Sequence, residues 1–426
     1  MKILKDKGIF AFICSNKFAK AKYGEQLRKL ILENQLKIFN DFTGINVFKE
    51  ASVDTCVIQI KKEFMGKNEV FVDDTYYMEQ SRLDSNSFIF NSPDVLNLRE
   101  KISHDGTPIK DLDIEINRGI LTGFNEAFII DEKTKNRLIK EDSNNKEVIK
   151  PILRGRDINK WRIINKHLYL LYIPWNFKIN NYPSIKNHLN NFKEKLSERP
   201  EVKNERYDWY CMSRYASDYV DLFEKEKLIY PNIASGLYPV YDNYKYYTNQ
   251  KCFILTSETI NIKYLNGLMA SNVLNFMFSL IGSNLGSKGF DLNKVLVEQL
   301  PIKIDNEYHE KVIKIIDEIN DLSEKISKNE KIMYDYLTNE LNINKFTKKI
   351  ENFYELSEKQ FIKEIKKIST NLDEKEVLLK FNSLKTKINA LNKDLILKNN
   401  ELNQIVYKIY NLSDEEIKII EEKINN

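Results

Sequence analysis

The chain changes character at a single point. All 13 of its glycines and all 9 of its prolines lie at or before Pro301, and residues 303–426 contain neither. Glycine and proline punctuate a chain, so a long charged and apolar stretch without them reads as helix. The apolar positions agree. Phe381, Leu384, Ile388, Leu391, Leu395, Leu402, Ile405 and Ile409 keep a three-four spacing broken only at Lys398, and Val312, Ile315, Ile316, Ile319, Leu322 and Ile326 form a second stripe. Two stripes flanking an insert from Asn339 to Asp373 predict an antiparallel pair of long helices with a coiled-coil seam.

Upstream of Pro301 the pattern is shorter and mixed. Gly8 to Cys14 reads as a strand buried on both faces. Gly24 to Asn34 carries Leu27, Leu30 and Ile31 at helical spacing, and Leu36–Phe42 and Val53–Ile60 read as two more strands. Strand, helix, strand, strand is the closing half of a doubly wound sheet and not a complete one. Asp105-Gly106-Thr107-Pro108 is a turn cluster that marks a boundary. Past it come the short strands Leu168–Ile173, Lys227–Tyr230, Tyr238–Tyr241 and Cys252–Thr256. The longest apolar stretch, Tyr264 to Leu285, is broken by Asn266, Ser271, Asn272, Asn275, Ser279 and Ser283, so it reads as buried helix and not as a membrane span.

The formal charge of +4 is too small to announce a nucleic-acid binder. Its distribution says more. Every arginine lies at or before Arg214, which places the better bidentate readers in the first half. Cys14, Cys56, Cys211 and Cys252 are scattered, as are the four histidines, so neither a zinc site nor a disulfide framework is expected. A reducing cytoplasm fits, and Met1 to Phe10 lacks the apolar run of a signal peptide.

Two blocks carry the functional reading. The first, Asn117-Arg118-Gly119-Ile120-Leu121-Thr122-Gly123-Phe124-Asn125-Glu126-Ala127-Phe128, sets two glycines four apart among apolar and β-branched residues, the chemistry of a sharp turn. The second, Lys150-Pro151-Ile152-Leu153-Arg154-Gly155-Arg156-Asp157-Ile158-Asn159-Lys160-Trp161, places Arg154 and Arg156 at the same parity. In an extended segment their forks would point one way, toward phosphate oxygens or guanine edges. A surface loop with solvated arginines is the plainer alternative. Together the blocks resemble the target recognition domain of adenine-specific DNA methyltransferases, of the TaqI-like C-terminal specificity type found in type II restriction-modification proteins. The resemblance continues through Tyr207-Asp208-Trp209-Tyr210 and Lys227-Leu228-Ile229-Tyr230-Pro231-Asn232-Ile233 to Glu298-Gln299-Leu300-Pro301-Ile302.

The resemblance implies an α+β multidomain chain. Residues 1–75 are expected to form part of a doubly wound α/β methyltransferase sheet and 76–107 a connector. A mixed α/β recognition domain follows at 108–302, then a long, coiled-coil-like helical region at 303–426. It implies double-stranded DNA as partner, with Arg118, Thr122, Arg154, Arg156, Lys160 and Lys288 on the DNA side. The pattern Asp41-Phe42 to Ile58 resembles the segment in which a phenylalanine, here Phe48, stacks on an adenine flipped out of the duplex. The alternative for Phe48 is a core position before a strand. The family's Asn-Pro-Pro-Tyr-type loop and its glycine-rich turn for S-adenosylmethionine are absent from the sequence. S-adenosylmethionine is therefore expected in an intact enzyme and not on this chain alone. No catalytic residue is assigned, and a separate catalytic methyltransferase half is the expected partner. The rival reading is a stand-alone specificity subunit that docks a methyltransferase through its helices.

Overall fold

The computed structural model describes residues 1–48, 53–64, 66–164, 167–286, 289–343, 346–368 and 373–425. The chain is mixed α/β, with several small sheets and a helical C-terminal region.

The first sheet contains β1 (Ile9–Ser15), β2 (Gln35–Asp41), β3 (Thr55–Lys61), β4 (Glu69–Val72) and β5 (Tyr76–Glu79) in the order β1-β3-β2-β4-β5. Strand β3 lies antiparallel between β1 and β2, so those two run parallel, joined through helix α1 (Glu25–Leu32). Strand β4 is parallel to β2 and antiparallel to β5. This sheet is mixed and mostly antiparallel, whereas the sequence pattern predicted late strands of a doubly wound sheet. The expectation that Gly8–Cys14 is buried on both faces fails, because β1 is an edge with a single neighbour. Ile9, Phe12 and Ile13 are 53%, 54% and 39% exposed, and Tyr23, Leu27 and Leu30 on the α1 side are exposed as well. Helix α1 instead buries Ile31 together with Arg28. The Arg28 guanidinium donates to the carbonyls of Ser85 (2.7 Å), Ala21 (2.8 Å), Asn86 (2.8 Å) and Phe18, stitching the helix to residues 85–86.

A second sheet stands at the middle of the molecule. It contains β6 (Glu115–Arg118), β10 (Lys227–Pro231), β11 (Val240–Asp242) and β13 (Cys252–Thr256), antiparallel throughout in the order β11-β10-β13-β6. A third, in the order β12-β8-β9-β7, contains β7 (Ile129–Asp131), β8 (Ile149–Leu153), β9 (Leu168–Leu171) and β12 (Tyr247–Thr248). Every residue of β10 and β13 is buried. Alternate side chains of a strand point to opposite faces, and here the two faces feed different cores. Leu228, Tyr230, Phe253 and Leu255 pack with the first sheet and the C-terminal helices, while Ile229, Cys252 and Ile254 pack within a core drawn from residues 120–254.

The long apolar stretch is two helices, α2 (Ile262–Met269) and α3 (Asn272–Ile281), separated at Ser271, whose hydroxyl accepts from the Leu274 amide. Helices α4 (His309–Asn339) and α5 (Glu374–Ile409) close over α2 so tightly that a Cβ on Gly267 would lie 2.5 Å from Val312. They run antiparallel: Lys398 meets Glu318 at 2.6 Å, and Lys380 lies 5.9 Å over the Tyr336 ring at the other end. The break in the apolar spacing at Lys398 is thus an interhelical ion pair. Helix α6 (Asp414–Asn425) packs back on α3. Among the described residues no helix is long and apolar enough to cross a membrane.

Lys227 and Asp242 form an ion pair at 2.7 Å with both side chains fully buried. Burial pulls the Lys227 pKa down and Asp242 opposes that. The ammonium also donates to the Phe223 carbonyl (2.6 Å), and Asp242 accepts the Tyr244 and Tyr246 amides at 2.8 and 3.0 Å. Breaking one side of such a pair strands a buried charge. We expect Lys227→Met or Asp242→Asn to cost about 3–5 kcal/mol in urea unfolding, and Lys227→Met/Asp242→Leu to recover part of it. A cost below about 1 kcal/mol for both single changes would mean the pair is solvated.

Candidate nucleic-acid interface

The turn between β12 and β13 gathers the motif blocks. Ile120 donates to Thr248 O (2.7 Å), Gln250 to Ile120 O (2.8 Å), Asn249 to Leu153 O (3.1 Å) and Asn232 to Lys251 O (2.8 Å). The glycines make these approaches possible in different ways. A Cβ on Gly119 would fall 2.1 Å from Asn249 O, and one on Gly155 would fall 2.9 Å from Lys251 O. Only Gly123 uses positive φ, at +81°, where its Cβ would lie 2.2 Å from Ser213 Oγ. Three segments far apart in the chain, 118–120, 153–155 and 231–232, therefore meet residues 248–252.

The expected DNA-side residues separate on this framework. Arg118 is exposed; its Nε donates to Gln250 O at 2.9 Å. Arg156 is exposed and has no partner among the described residues. Arg154 is corrected: its Nε and Nη2 both donate to Asp157 at 2.9 Å, and its backbone amide does the same. Gly155–Asp157 is a 3-10 turn and not an extended segment, so the shared parity of Arg154 and Arg156 does not align their forks. Thr122 is also corrected. It is 2% exposed, its hydroxyl donates to Asn125 at 2.7 Å, and its carbonyl accepts from Arg199. Lys160 is half-buried 4.4 Å over the Tyr238 ring, and burial lowers its pKa to about 8. Lys288 lies outside the described residues. Phe48 is 44% exposed, so it is not a core residue, and Ile45, Val47 and Val53 are exposed around it in the sequence.

Beside this surface is a cleft of about 790 Å³ between the first sheet and the middle of the chain. One wall carries Asp41, Thr43, Asp54 and the Phe39–Phe90 stack; the other carries Ser235, Gly236, Tyr238 and the turn at Gly286 and Gly289. Asp41 is held by Asn16 (2.9 Å) and by the Thr43 hydroxyl (2.8 Å), and Asp54 pairs with Lys17 at 3.2 Å. Lys20 crosses the floor to donate to Leu280 O and Gly282 O, both at 3.1 Å, and burial lowers its pKa to about 8. The segment that follows β10 links the two features, since Asn232 meets the gathering turn and Ser235 already lines the cleft.

Sequence reasoning missed Lys251 and Arg214, both exposed on this surface. Arg214 exchanges backbone hydrogen bonds with Leu121 at 2.9 and 3.0 Å. Its one signal was being the last arginine in the chain. The last residue of the second block and the one after it turn inward: Trp161 Nε1 donates to Asn399 at 3.0 Å, and Arg162 bonds Tyr354 (3.0 Å) and Glu330. The block thus also anchors the middle of the chain to the helices.

We expect Gly119→Ala to be strongly destabilising, since the new methyl meets backbone and not a flexible side chain; about 1–3 kcal/mol is the usual cost of such overpacking. Hydrogen exchange should accelerate at residues 248–252 in the variant, and unchanged exchange there would refute the gathering role.

The comparisons with known proteins bear on the same segment. The TaqI-like C-terminal specificity domain family matches residues 150–302, and a domain of unknown function (DUF8810) matches residues 305–406. The Type II methyltransferase M.BstVI of Geobacillus stearothermophilus is 21% identical over 316 residues, which cover 65% of this chain and 54% of that protein. The chain therefore spans about half the length of that curated relative. Among solved structures, the Type IIL restriction-modification enzyme MmeI in complex with DNA aligns with 98% of this chain and 49% of its own, at 10% identity and a TM-score of 0.48. The type IIG restriction endonuclease BpuSI aligns with 93% of this chain and 48% of its own, at 11% identity and a TM-score of 0.37. Residues 150–302, which hold the second block, the gathering turn and one wall of the cleft, are the part of the chain that matches the TaqI-like C-terminal specificity domain family.

Proposed function

We propose that this chain is the sequence-recognition portion of an adenine-N6 DNA methyltransferase or fused restriction-modification enzyme. The observation that carries the reading is the gathering turn. The motif blocks converge on it and leave Arg118, Arg156, Arg214 and Lys251 exposed around one turn beside a cleft. A duplex lies across that surface, its phosphates on the cations and one edge toward the cleft. In this layout 1–75 belongs to the methyltransferase unit, 76–107 connects, 108–302 recognises and 303–426 braces. Phe48 stacks on the flipped adenine, and S-adenosylmethionine is bound by a catalytic unit that supplies the missing loops. Recognition of this kind takes place in the cytoplasm.

The match to the TaqI-like C-terminal specificity domain family and a relative named as a Type II methyltransferase support the reading without supplying the residues. Duplex affinity should fall steeply with salt, because each neutralised phosphate releases counterions. Arg156→Ala/Lys251→Ala should weaken binding and reduce the slope of log affinity against log salt by about 2, one for each phosphate contact. Arg154→Ala should lower thermal stability instead, by leaving the buried Asp157 carboxylate with the backbone amide and without its guanidinium. Salt-independent binding, or none in wild type at low salt, would remove the proposal.

The partner's docking site has its own observation. Strand β1 offers an unpaired edge, and Ile9, Phe12, Ile13, Leu27 and Leu30 are exposed around it. Edges with bare apolar surface recruit another strand or aggregate. This favours docking of a catalytic half at β1 over docking through the C-terminal helices. Amides of Ile9–Ser15 should exchange quickly in the chain alone and slow on adding a methyltransferase half. Slow exchange in the monomer would show that the segment completes its own fold.

A further inference from the structure

Arg118 and Arg214 share one small surface. The Arg118 carbonyl accepts the Tyr219 hydroxyl at 2.9 Å, and Arg214 is tied through its backbone to Leu121. Burial and Asp218 push the Tyr219 pKa up, while Arg118 and Arg214 both act against that, so both cations lie within electrostatic reach of one hydroxyl. Yet the two guanidinium groups are held differently. Arg118 is anchored by Nε on Gln250 O, with its Cζ 6.0 Å from the centre of the Phe253 ring. Its two terminal nitrogens have no partner among the described residues. A guanidinium fixed at Nε presents an end-on fork of fixed direction, the geometry that guanine O6 and N7 accept. Arg214 is exposed, and its guanidinium has no partner among the described residues; only its backbone is fixed. A mobile cation of that kind suits phosphate, where direction matters little.

Resting on the recognition reading above, we propose a division of labour: Arg118 reads a guanine edge in the major groove, and Arg214 holds an adjacent phosphate. Arg118 thereby determines one base pair of the recognised sequence, and Arg214 sets register and affinity.

The test uses the full chain and a pool of random-sequence duplexes, selected by retention on the protein and then sequenced. Wild type should enrich one motif with an invariant G·C pair. Arg118→Ala and Arg118→Lys should both keep the rest of that motif and lose preference at a single position. Each should cost about 5- to 150-fold in affinity for the wild-type sequence, because a lysine is a point charge without a fork. Arg214→Ala should select the wild-type motif intact, bind it more weakly, and lose about one unit of salt slope, which Arg214→Lys restores. An unaltered motif for both Arg118 variants, with the fold verified by circular dichroism, overturns the assignment. So does a motif that degenerates in Arg214→Ala. Failure of wild type to enrich any sequence would count against the recognition reading itself and is distinguishable from either.

Discussion

The structure depends on a strand pair that must be buried on both faces. β10 and β13 carry no exposed residue, and their alternate side chains complete two separate cores. At roughly 25 cal/mol for each Å² of apolar surface removed from water, burial on two faces holds this pair firmly in place. Rigidity follows from that constraint. A polar edge can be carried on such a sheet only where its partners are internal, and Lys227 and Asp242 meet that condition at 2.7 Å. The turn that leads into β13 inherits the fixed position of the strand. A recognition surface assembled around it is held in place before any ligand arrives, which lowers the ordering cost of binding.

The same constraint explains the glycines. Gly119 and Gly155 do not sit where φ is positive; they sit where another backbone comes within reach of a missing Cβ. Close backbone packing lets three distant segments exchange main-chain hydrogen bonds with one turn, and those bonds are insensitive to side-chain identity. The side chains around the turn are thereby free to vary. A scaffold that fixes backbone and leaves Arg118, Arg156, Arg214 and Lys251 outward separates folding from readout, as a specificity domain requires.

Much of the fold was legible because periodicity reports burial directly. The pair of long helices, the insert between them and strand 252–256 follow from spacing alone, and Asn339 and Asp373 mark the helix ends within a residue. The exposure of β1 was not legible, since an apolar run reads as two-sided burial whether or not a second neighbour exists. Helix α1 shows the same limit: Leu27 and Leu30 look like a core stripe and are exposed, while Arg28 looks like surface and is buried on four carbonyls.

The arginines show most clearly what sequence cannot separate. Their concentration before Arg214 pointed to a recognising half, but Arg28, Arg154, Arg162 and Arg199 spend their forks inside the protein. A guanidinium suits a backbone carbonyl or a buried carboxylate as well as it suits a base edge, because all offer planar acceptors. Only the accounting of each nitrogen distinguishes them. Arg154 has its fork closed on Asp157; among the described residues Arg118 has one nitrogen anchored and two without a partner, and Arg214 has its backbone fixed and its head group without a partner. Those states descend in order from a closed fork to a fork of fixed direction to an unanchored cation. The order is set by which carbonyls and carboxylates the fold happens to bring within three ångströms, and that is a property of the gathering turn and not of the motif.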